Sequence, residues 1–304
     1  MNRRKLLLSL LTTPLAMRAR ALAAAEPARV QQESELILCG WDEVFILALG
    51  DGPAPAHRKV WSWRASDSPE IPADLRPAFR TTDDCKPVNG GGQILISSSS
   101  GGVALVDRAS KRASFHGRVT NAHSIEMVPG GRIAAAASVS TAATGNRLVI
   151  FDAATGKELA SDELRSAHGA VWDDARNLLW ALGGDVIRAY TVGAAGATRL
   201  TRAFELALPD EGGHDLAAVP GSPRLFVSTG QHCWYFDRDR REITPHDTLA
   251  ALPHIKSYAV HPRTGRVVYI QAEGKDWWAE HLHFQRPDGT IRLPGEHLYK
   301  SRWA

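Results

Sequence analysis

The chain has 304 residues and a formal net charge of +3, and hydrophobic residues make up 44% of it. A charge this mild, without a basic run interleaved with aromatic residues, argues against a nucleic-acid-binding protein. Beyond the N-terminal segment no apolar run reaches the roughly 18–20 residues that a membrane-spanning helix needs. The sequence therefore predicts a protein without a membrane span, long enough for one large all-β domain.

The first 25 residues have the pattern of an export signal. Two arginines and a lysine at 3–5 precede an apolar run, and three alanines at 23–25 offer a small-residue cleavage site. The adjacent arginines followed by Lys-Leu-Leu resemble a twin-arginine signal, and a general secretory signal is the alternative. We expect a signal peptide at 1–25, a single domain at 26–304 and a periplasmic or secreted mature protein.

A pattern recurs along the chain with a period of about 40–45 residues. It is clearest at 121–152, 167–190 and 213–237, and weaker copies start at Asp84 and Lys256. Each copy contains a polar residue, a short apolar strand, a tight turn, a second apolar run, a Gly or Ser loop and a third run ending near Asp. Three or four short strands in each repeat predict the blades of a β-propeller.

The spacing of the repeats predicts six blades. Only three strands precede Asp84, so the first blade lacks its innermost strand. A C-terminal strand around His297–Trp303 would supply it and remove the exposed sheet edges. The expected fold is an all-β, six-bladed β-propeller closed by a C-terminal strand that completes blade one. The spacing shows no seventh blade.

Histidines begin three consecutive repeats, and the topology of a propeller brings the starts of its inner strands to one mouth of the central channel. Neutral imidazole suits Zn, Cu, Fe, Ni and Mn, so we predict a divalent metal, with Zn or Mn foremost. Polar side chains that only hydrogen-bond across the channel are the alternative. The predicted ligands are His123, His168, His214 and, as a fourth ligand or an orienting carboxylate, Asp84. No phosphate loop or dinucleotide fingerprint is present, so no nucleotide cofactor is expected.

Charged and aromatic residues predicted for the same mouth favour an anionic saccharide as substrate. Lys and Arg suit a carboxylate, and Trp stacks on sugar rings. Salt bridges within the channel and packing between blades are the alternatives. The predicted substrate-binding residues are Lys86, Trp41, Trp277, Lys275 and Arg302.

A Lys, Tyr or His beside a metal-bound carboxylate can remove the proton from the neighbouring carbon. Alternation along a strand places Tyr258 on the same face as Lys256. The predicted catalytic residues are Lys256, Tyr258 and His232. The three cysteines, Cys39, Cys85 and Cys233, are predicted to be buried free thiols, because two of them lie in apolar strand runs.

The segments AHSIEMVPGGRIAAAAS, AHGAVWDDARNLLWALGGD and GGHDLAAVPGSPRLFVSTG resemble exported bacterial WD40-like propellers of unknown function. The resemblance spans Glu35 to Trp303. The full Gly-His and Trp-Asp signature of WD40 repeats is absent, so their scaffold role is not implied. Two characterised propeller enzymes are similar only in how they hold a metal, not in sequence motifs. Oligogalacturonate lyase holds manganese mainly by histidines, and the peptide-amidating lyase holds zinc by three histidines. The histidine ligands of these two enzymes resemble His123, His168 and His214 only in their position within the repeat.

The sequence thus predicts an exported, monomeric propeller enzyme with a three-histidine metal site. The predicted activity is that of a carbon–oxygen lyase acting by β-elimination on a small-molecule or oligosaccharide substrate that contains a uronate. A metal-dependent hydrolase or lactonase is the nearer alternative. A non-catalytic module that binds a glycan or a protein is the other.

Overall fold

The computed structural model of the chain describes residues 35–50 and 57–304. Within these residues, strands β1 to β24 form six antiparallel sheets of four strands each. The helical segments there are three short 3-10 turns at Ala65–Asp67, Arg76–Phe79 and Asn89–Gly91, and none of them is long and apolar enough to cross a membrane. The predicted six-bladed β-propeller is confirmed, whereas the predicted signal peptide at 1–25 lies outside the described residues.

The strands follow one another blade by blade. Blade one contains β1 (Glu35–Cys39), β2 (Val44–Ala48), β3 (Arg58–Trp63) and β24 (Lys300–Trp303). Blade two contains β4 (Thr82–Val88), β5 (Gln93–Ser98), β6 (Gly102–Asp107) and β7 (Ala113–Arg118). Blade three contains β8 (Ala122–Val128), β9 (Arg132–Ala137), β10 (Arg147–Asp152) and β11 (Glu158–Glu163). Blade four contains β12 (Gly169–Asp173), β13 (Leu178–Leu182), β14 (Val186–Thr191) and β15 (Thr201–Ala207). Blade five contains β16 (Asp215–Ala218), β17 (Arg224–Ser228), β18 (Cys233–Asp237) and β19 (Glu242–Pro245). Blade six contains β20 (Ile255–Val260), β21 (Val267–Gln271), β22 (His281–Gln285) and β23 (Gly289–Arg292).

The C-terminal strand closes the ring, as the strand count predicts. β24 pairs antiparallel with β1, in a register that sets Leu36 opposite Trp303 and Cys39 opposite Lys300. It takes the innermost position of blade one, at the channel. The first and last strands of the domain are therefore hydrogen-bonded to each other, and the propeller has no open end between its first and last blades.

The burial of each strand follows from its distance to the channel. The inner three strands of a blade are packed between two neighbouring sheets, so β9 and β10 are apolar almost throughout and nearly every residue is buried. The outermost strands reach the rim, and β11 and β15 are accordingly rich in exposed charged residues. This gradient explains why the fourth strand of each repeat is more polar than the other three.

Candidate functional site

Every inner strand begins with a β-bulge, where two residues of one strand face one residue of its neighbour. The register shifts there in blades two, three and six. In blades one, four and five, the first residue of the inner strand pairs with a residue of the next strand. The residue just before the inner strand donates its backbone N–H to the carbonyl of that same partner, so two residues again face one. A bulge re-aims one side chain. We name the six re-aimed residues the bulge ring: Asp83, His123, His168, His214, Lys256 and Tyr299.

The three predicted histidines do meet at one end of the channel, which we call the histidine mouth. The rings of His123 and His168 are stacked, with centroids 4.1 Å apart and planes inclined by 17°. The ring of His214 meets His168 edge-on at 5.4 Å. The Nδ1 atom of His168 lies 2.9 Å from the carbonyl of Ser166 and 3.1 Å from the hydroxyl of Ser138.

The remaining members of the bulge ring contact this histidine cluster. The Nζ atom of Lys256 lies 3.0 Å from Nε2 of His214, whereas the buried Nδ1 of His214 has no hydrogen-bond partner. The Nδ1 atom of His123 lies 3.1 Å from Oδ1 of Asp83 and 3.4 Å from the hydroxyl of Tyr299. Five of the six ring residues are thus linked in two small groups, one at each end of the histidine stack.

Burial lowers the pKa of three members of the bulge ring. It lowers the pKa of His168 and His214 well below the usual value, helped by neighbouring imidazoles and, at His214, by Lys256. Burial also lowers the pKa of Lys256 from 10.5 to about 8. At neutral pH His168 and His214 are therefore uncharged, and they lie near a lysine that releases its proton more readily than usual.

Directly below the bulge ring, four charged side chains fill the centre of the channel. We name them the buried ion network: Asp84, Asp215, Lys300 and Arg302. Arg302 lies 3.1 Å from Asp84 and 2.8 Å from Asp215. The Nζ atom of Lys300 lies 3.3 Å from Asp215 and donates to the carbonyl of His123 at 3.1 Å. The four residues are nearly inaccessible to solvent, and they join blades one, two and five across the axis.

The ion network should make the fold sensitive to acid. Burial alone would raise the pKa of Asp84 and Asp215, but the charges of Arg302 and Lys300 outweigh it and hold both values below the usual range. Their contribution to stability is complete above the unfolded-state pKa of about 3.9 and is lost as the pH falls through the lower folded-state values. We expect the free energy of unfolding to decrease at pH values below about 4.

Chemical unfolding at pH values from 7 to 2 would measure this loss. Asp84→Asn is the matched variant, because it removes one titrating carboxylate and keeps the size of the side chain. Its stability should fall less steeply with acid than that of the parent, since the buried histidines titrate in both. Parallel curves for the two proteins would contradict the assignment.

The opposite end of the channel, the far mouth, forms a cavity of about 420 Å³. Lys86 and Arg302, predicted to bind substrate beside the histidines, both line this cavity. The ammonium group of Lys86 is 3.0 Å from Glu126 and donates to the carbonyl of Ala170 at 2.5 Å. Both residues stand three positions after a bulge-ring residue, which separates them from the ring by about 10 Å along the strand.

Tyr258 is not brought to the histidine mouth. The bulge at Lys256 adds one residue and breaks the alternation that predicts a shared face. Tyr258 instead packs between blades five and six, where its ring stacks on Phe226 with centroids 4.0 Å apart. Burial raises the pKa of its phenol, and Tyr235 raises it further. The side chain also reaches the lining of the far cavity.

An aromatic strip leads from the rim of the histidine mouth down to the bulge ring. Trp41 lies 5.1 Å from Trp277, between ring centroids, and 4.6 Å from His297. Trp278 meets His297 at 4.0 Å, and Trp277 meets Tyr299 edge-on at 5.6 Å. Trp41 and Trp277 are 40% and 38% exposed, which makes them two of the three exposed large hydrophobic residues in the described part of the chain.

The two other predicted site residues lie on the same face, farther from the axis. Lys275 is exposed in the β21–β22 loop that carries Trp277. His232 is exposed in the β17–β18 loop, and its Nδ1 lies 2.9 Å from Asp210. Asp210 also accepts a hydrogen bond from the indole of Trp234 at 3.0 Å, so His232 belongs to a rim cluster outside the bulge ring.

Sequence reasoning missed two ring residues and two members of the ion network. Asp83, not Asp84, occupies the position equivalent to His123, and Tyr299 occupies it in blade one. The doublet of aspartates at 83–84 is the signal that could have shown the shift, because a bulge places the first residue at the mouth and the second inside the channel. Asp215 and Lys300 follow ring residues in the same way.

The bulge ring suits a metal only in part. The Nδ1 atoms of His123 and His168 face Asp83 and a backbone carbonyl, an arrangement that often orients a metal ligand. The two rings are nearly parallel, however, so an ion in the plane of one lies outside the plane of the other. Nε2 of His214 is already paired with Lys256. In the described part of the chain no three His, Cys, Asp or Glu residues could hold a metal ion. The rings do not fit a shared ion as they stand, and the metal site stays a prediction.

The comparison with known families identifies the family of the chain but gives it no activity. It belongs to DUF6528, a family of unknown function that matches residues 47–304. No curated protein matches the chain.

Proposed function

We propose that this DUF6528 protein is a lyase that cleaves uronate-containing saccharides by β-elimination at the histidine mouth. Lys256 is the proposed proton acceptor. The saccharide would lie across the aromatic strip, with its uronate ring over the bulge ring. No step of this proposal passes through a metal ion.

The observation that carries the proposal is the environment of Lys256. Its amine is buried at the channel mouth, its pKa is about 8, and its Nζ lies 3.0 Å from Nε2 of His214. A general base works best when its pKa is close to the operating pH, and perturbed lysines in clefts are candidates for that role. His214, itself neutral, orients the amine and can share its proton.

The rim supplies groups that fit a charged sugar. Indole rings stack on the apolar faces of sugars, and Trp41 and Trp277 form such a surface beside Tyr299. Lys275 extends from the same loop as Trp277 and would attract a carboxylate. Lys86 and Arg302 play no part here, because they lie at the far mouth with their charges already paired.

In the proposed step the neutral amine of Lys256 takes the proton from the carbon next to the carboxylate. The released electron pair forms a C=C bond as the bond to the glycosidic oxygen breaks. The leaving oxygen takes a proton from a solvent water. The products are an unsaturated uronate and a sugar with a new hydroxyl group, and Lys256 then releases its proton to solvent.

The test is incubation of the protein with polygalacturonate and other uronate polysaccharides, followed by ultraviolet absorbance of the unsaturated product. Because deprotonated Lys256 is the active form, the rate should rise with pH and level off above about 8. The assay is run with added Zn²⁺ or Mn²⁺ and with a chelator, so that a metal requirement is measured separately.

Two other outcomes identify the alternative functions. Cleavage without an unsaturated product, dependent on added metal, would indicate a hydrolase or lactonase. Saturable binding of the polysaccharide without turnover at any pH would indicate a non-catalytic binding module. Either result would contradict the lyase.

A further inference from the structure

Two cysteines face each other at the junction where the propeller closes. Cys39 is the last residue of β1 in blade one, and Cys85 lies in β4, the inner strand of blade two. Both thiols point to the carbonyl of Lys300, with Sγ–O distances of 3.6 Å and 3.8 Å. Both side chains are completely buried.

The third cysteine has a different environment. Cys233 begins β18 in blade five, and its thiol points to the carbonyl of Leu252 at 3.8 Å. It belongs to the apolar cluster around Phe226 and Tyr258, whereas Cys39 and Cys85 share the cluster between blades one and two. The chain therefore contains one facing pair of thiols and one separate thiol, which serves as an internal reference.

We propose that Cys39 and Cys85 form a disulfide bond under oxidising conditions and so tie blade one to blade two. The oxidant is a disulfide, either a small one such as glutathione disulfide or that of a thiol-oxidising protein. The thiolate of Cys39 attacks the oxidant disulfide and releases one thiol. The thiolate of Cys85 then attacks the Cys39 sulfur and releases the second. Two protein thiols and one external disulfide give one protein disulfide and two external thiols.

The position of this bond gives it a structural role. β1, β4 and the C-terminal β24 meet here, and β24 is held by pairing with β1, by packing against its neighbours and by the ion pairs of Lys300 and Arg302. A covalent link between β1 and β4 would keep blade one joined to blade two even when β24 detaches. The link is independent of the proposed lyase activity, because neither cysteine belongs to the bulge ring.

The burial of both thiols predicts how the reaction proceeds. A disulfide oxidant cannot reach sulfur atoms that have no solvent exposure, so oxidation needs a transient opening of the junction. In the folded protein it should be slow, and a concentration of urea too low to unfold the chain should accelerate it several-fold. A long closed loop also predicts a sizeable stabilisation, with a melting temperature roughly 5–10 °C higher in the oxidised form.

The test treats the folded full-length chain with excess glutathione disulfide, with and without mild urea. Remaining thiols are then alkylated with N-ethylmaleimide in denaturant and counted by intact mass, and digestion identifies the linked peptides. We expect one alkylated cysteine, Cys233, and a cross-linked pair of peptides containing Cys39 and Cys85. Cys233→Ala should keep that cross-link, and Cys39→Ala should abolish it.

The opposing outcomes are distinct. Three alkylated cysteines after oxidation in urea would overturn the proposal, and so would a glutathione adduct that does not resolve or a cross-link that includes Cys233. The melting temperature provides a second measurement on the unaltered chain. If it is the same before and after reduction of a confirmed cross-link, the bond has no role in holding the ring closed.

Discussion

Arg302→Met is expected to lower the free energy of unfolding by about 3–5 kcal/mol. The guanidinium group contacts Asp84 at 3.1 Å and Asp215 at 2.8 Å. Methionine fills a similar volume but leaves the two buried carboxylates without their main counter-charge. A buried carboxylate that loses its partner must either pay the full cost of desolvation or take up a proton, and both reduce stability at neutral pH.

The location of Arg302 makes the loss cooperative. It extends from the C-terminal strand of blade one to carboxylates in blades two and five, so its removal weakens two contacts that join three blades across the channel. Arg302→Lys should be intermediate, because an ammonium group keeps the charge but cannot bridge two carboxylates with a planar fork. The difference between the losses in the free energy of unfolding for Arg302→Met and Arg302→Lys separates the contribution of the positive charge from that of the planar guanidinium geometry.

Denaturant-induced unfolding at pH 7 is the measurement, and Arg240→Met is the matched control at an exposed position. The control should change the free energy of unfolding by less than about 0.5 kcal/mol. Similar losses for both arginine-to-methionine variants would show that the ion network does not hold the ring together. Lower loss at pH 4 than at pH 7 for Arg302→Met would support the unpaired carboxylates as the cause, since protonation relieves them.

The fold could be predicted from the sequence because its signal is distributed over the whole chain. Turn residues recur in register, apolar runs of strand length lie between them, and the missing first strand points to closure by the C-terminus. The convergence of His123, His168 and His214 follows from the same periodicity, because equivalent positions in consecutive blades must face one channel. These inferences need only the repeat period and the topology of a propeller.

The detailed site could not be predicted, because it depends on bulges that periodicity does not reveal. A bulge adds one residue without changing the apolar pattern, so the repeat spacing predicts Asp84 as the equivalent of His123, although Asp83 holds that place. The same extra residue moves Tyr258 from the face of Lys256 into the packing between blades. One-residue shifts reverse the face of every later side chain in a strand.

The separation of the two channel mouths is also invisible in the sequence. Lys86 and Arg302 lie close to ring residues along the chain. An inner strand runs from one mouth of the channel to the other in only four to seven residues, however, so a difference of a few positions decides which mouth a side chain reaches. Pairing with Glu126 and Asp215 then neutralises both cations. Their charge, which in the sequence suggests a carboxylate site, belongs to the internal ion pairs of the channel.

Lys256→Met is expected to lower the turnover rate in the uronate assay by about 10²–10⁴-fold. Removal of the amine eliminates the proposed proton acceptor but leaves the aromatic strip intact, so the KM should change little. Lys157→Met, at an exposed turn of blade three, is the matched control and should keep full activity. Loss of activity in both variants would point to a general effect of charge on the polysaccharide.

The same variant should be at least as stable as the parent, which separates catalysis from folding. The pKa of Lys256 is lowered from 10.5 to about 8, so the folded state binds fewer protons than the unfolded chain between these values. Stability therefore rises with pH across this interval, and below about pH 8 the buried amine costs the parent roughly 1–3 kcal/mol. Lys256→Met should remove that cost and flatten the rise, as measured by unfolding from pH 7 to pH 10.5. An inactive variant that is also markedly less stable would mean that Lys256 supports the channel rather than the reaction.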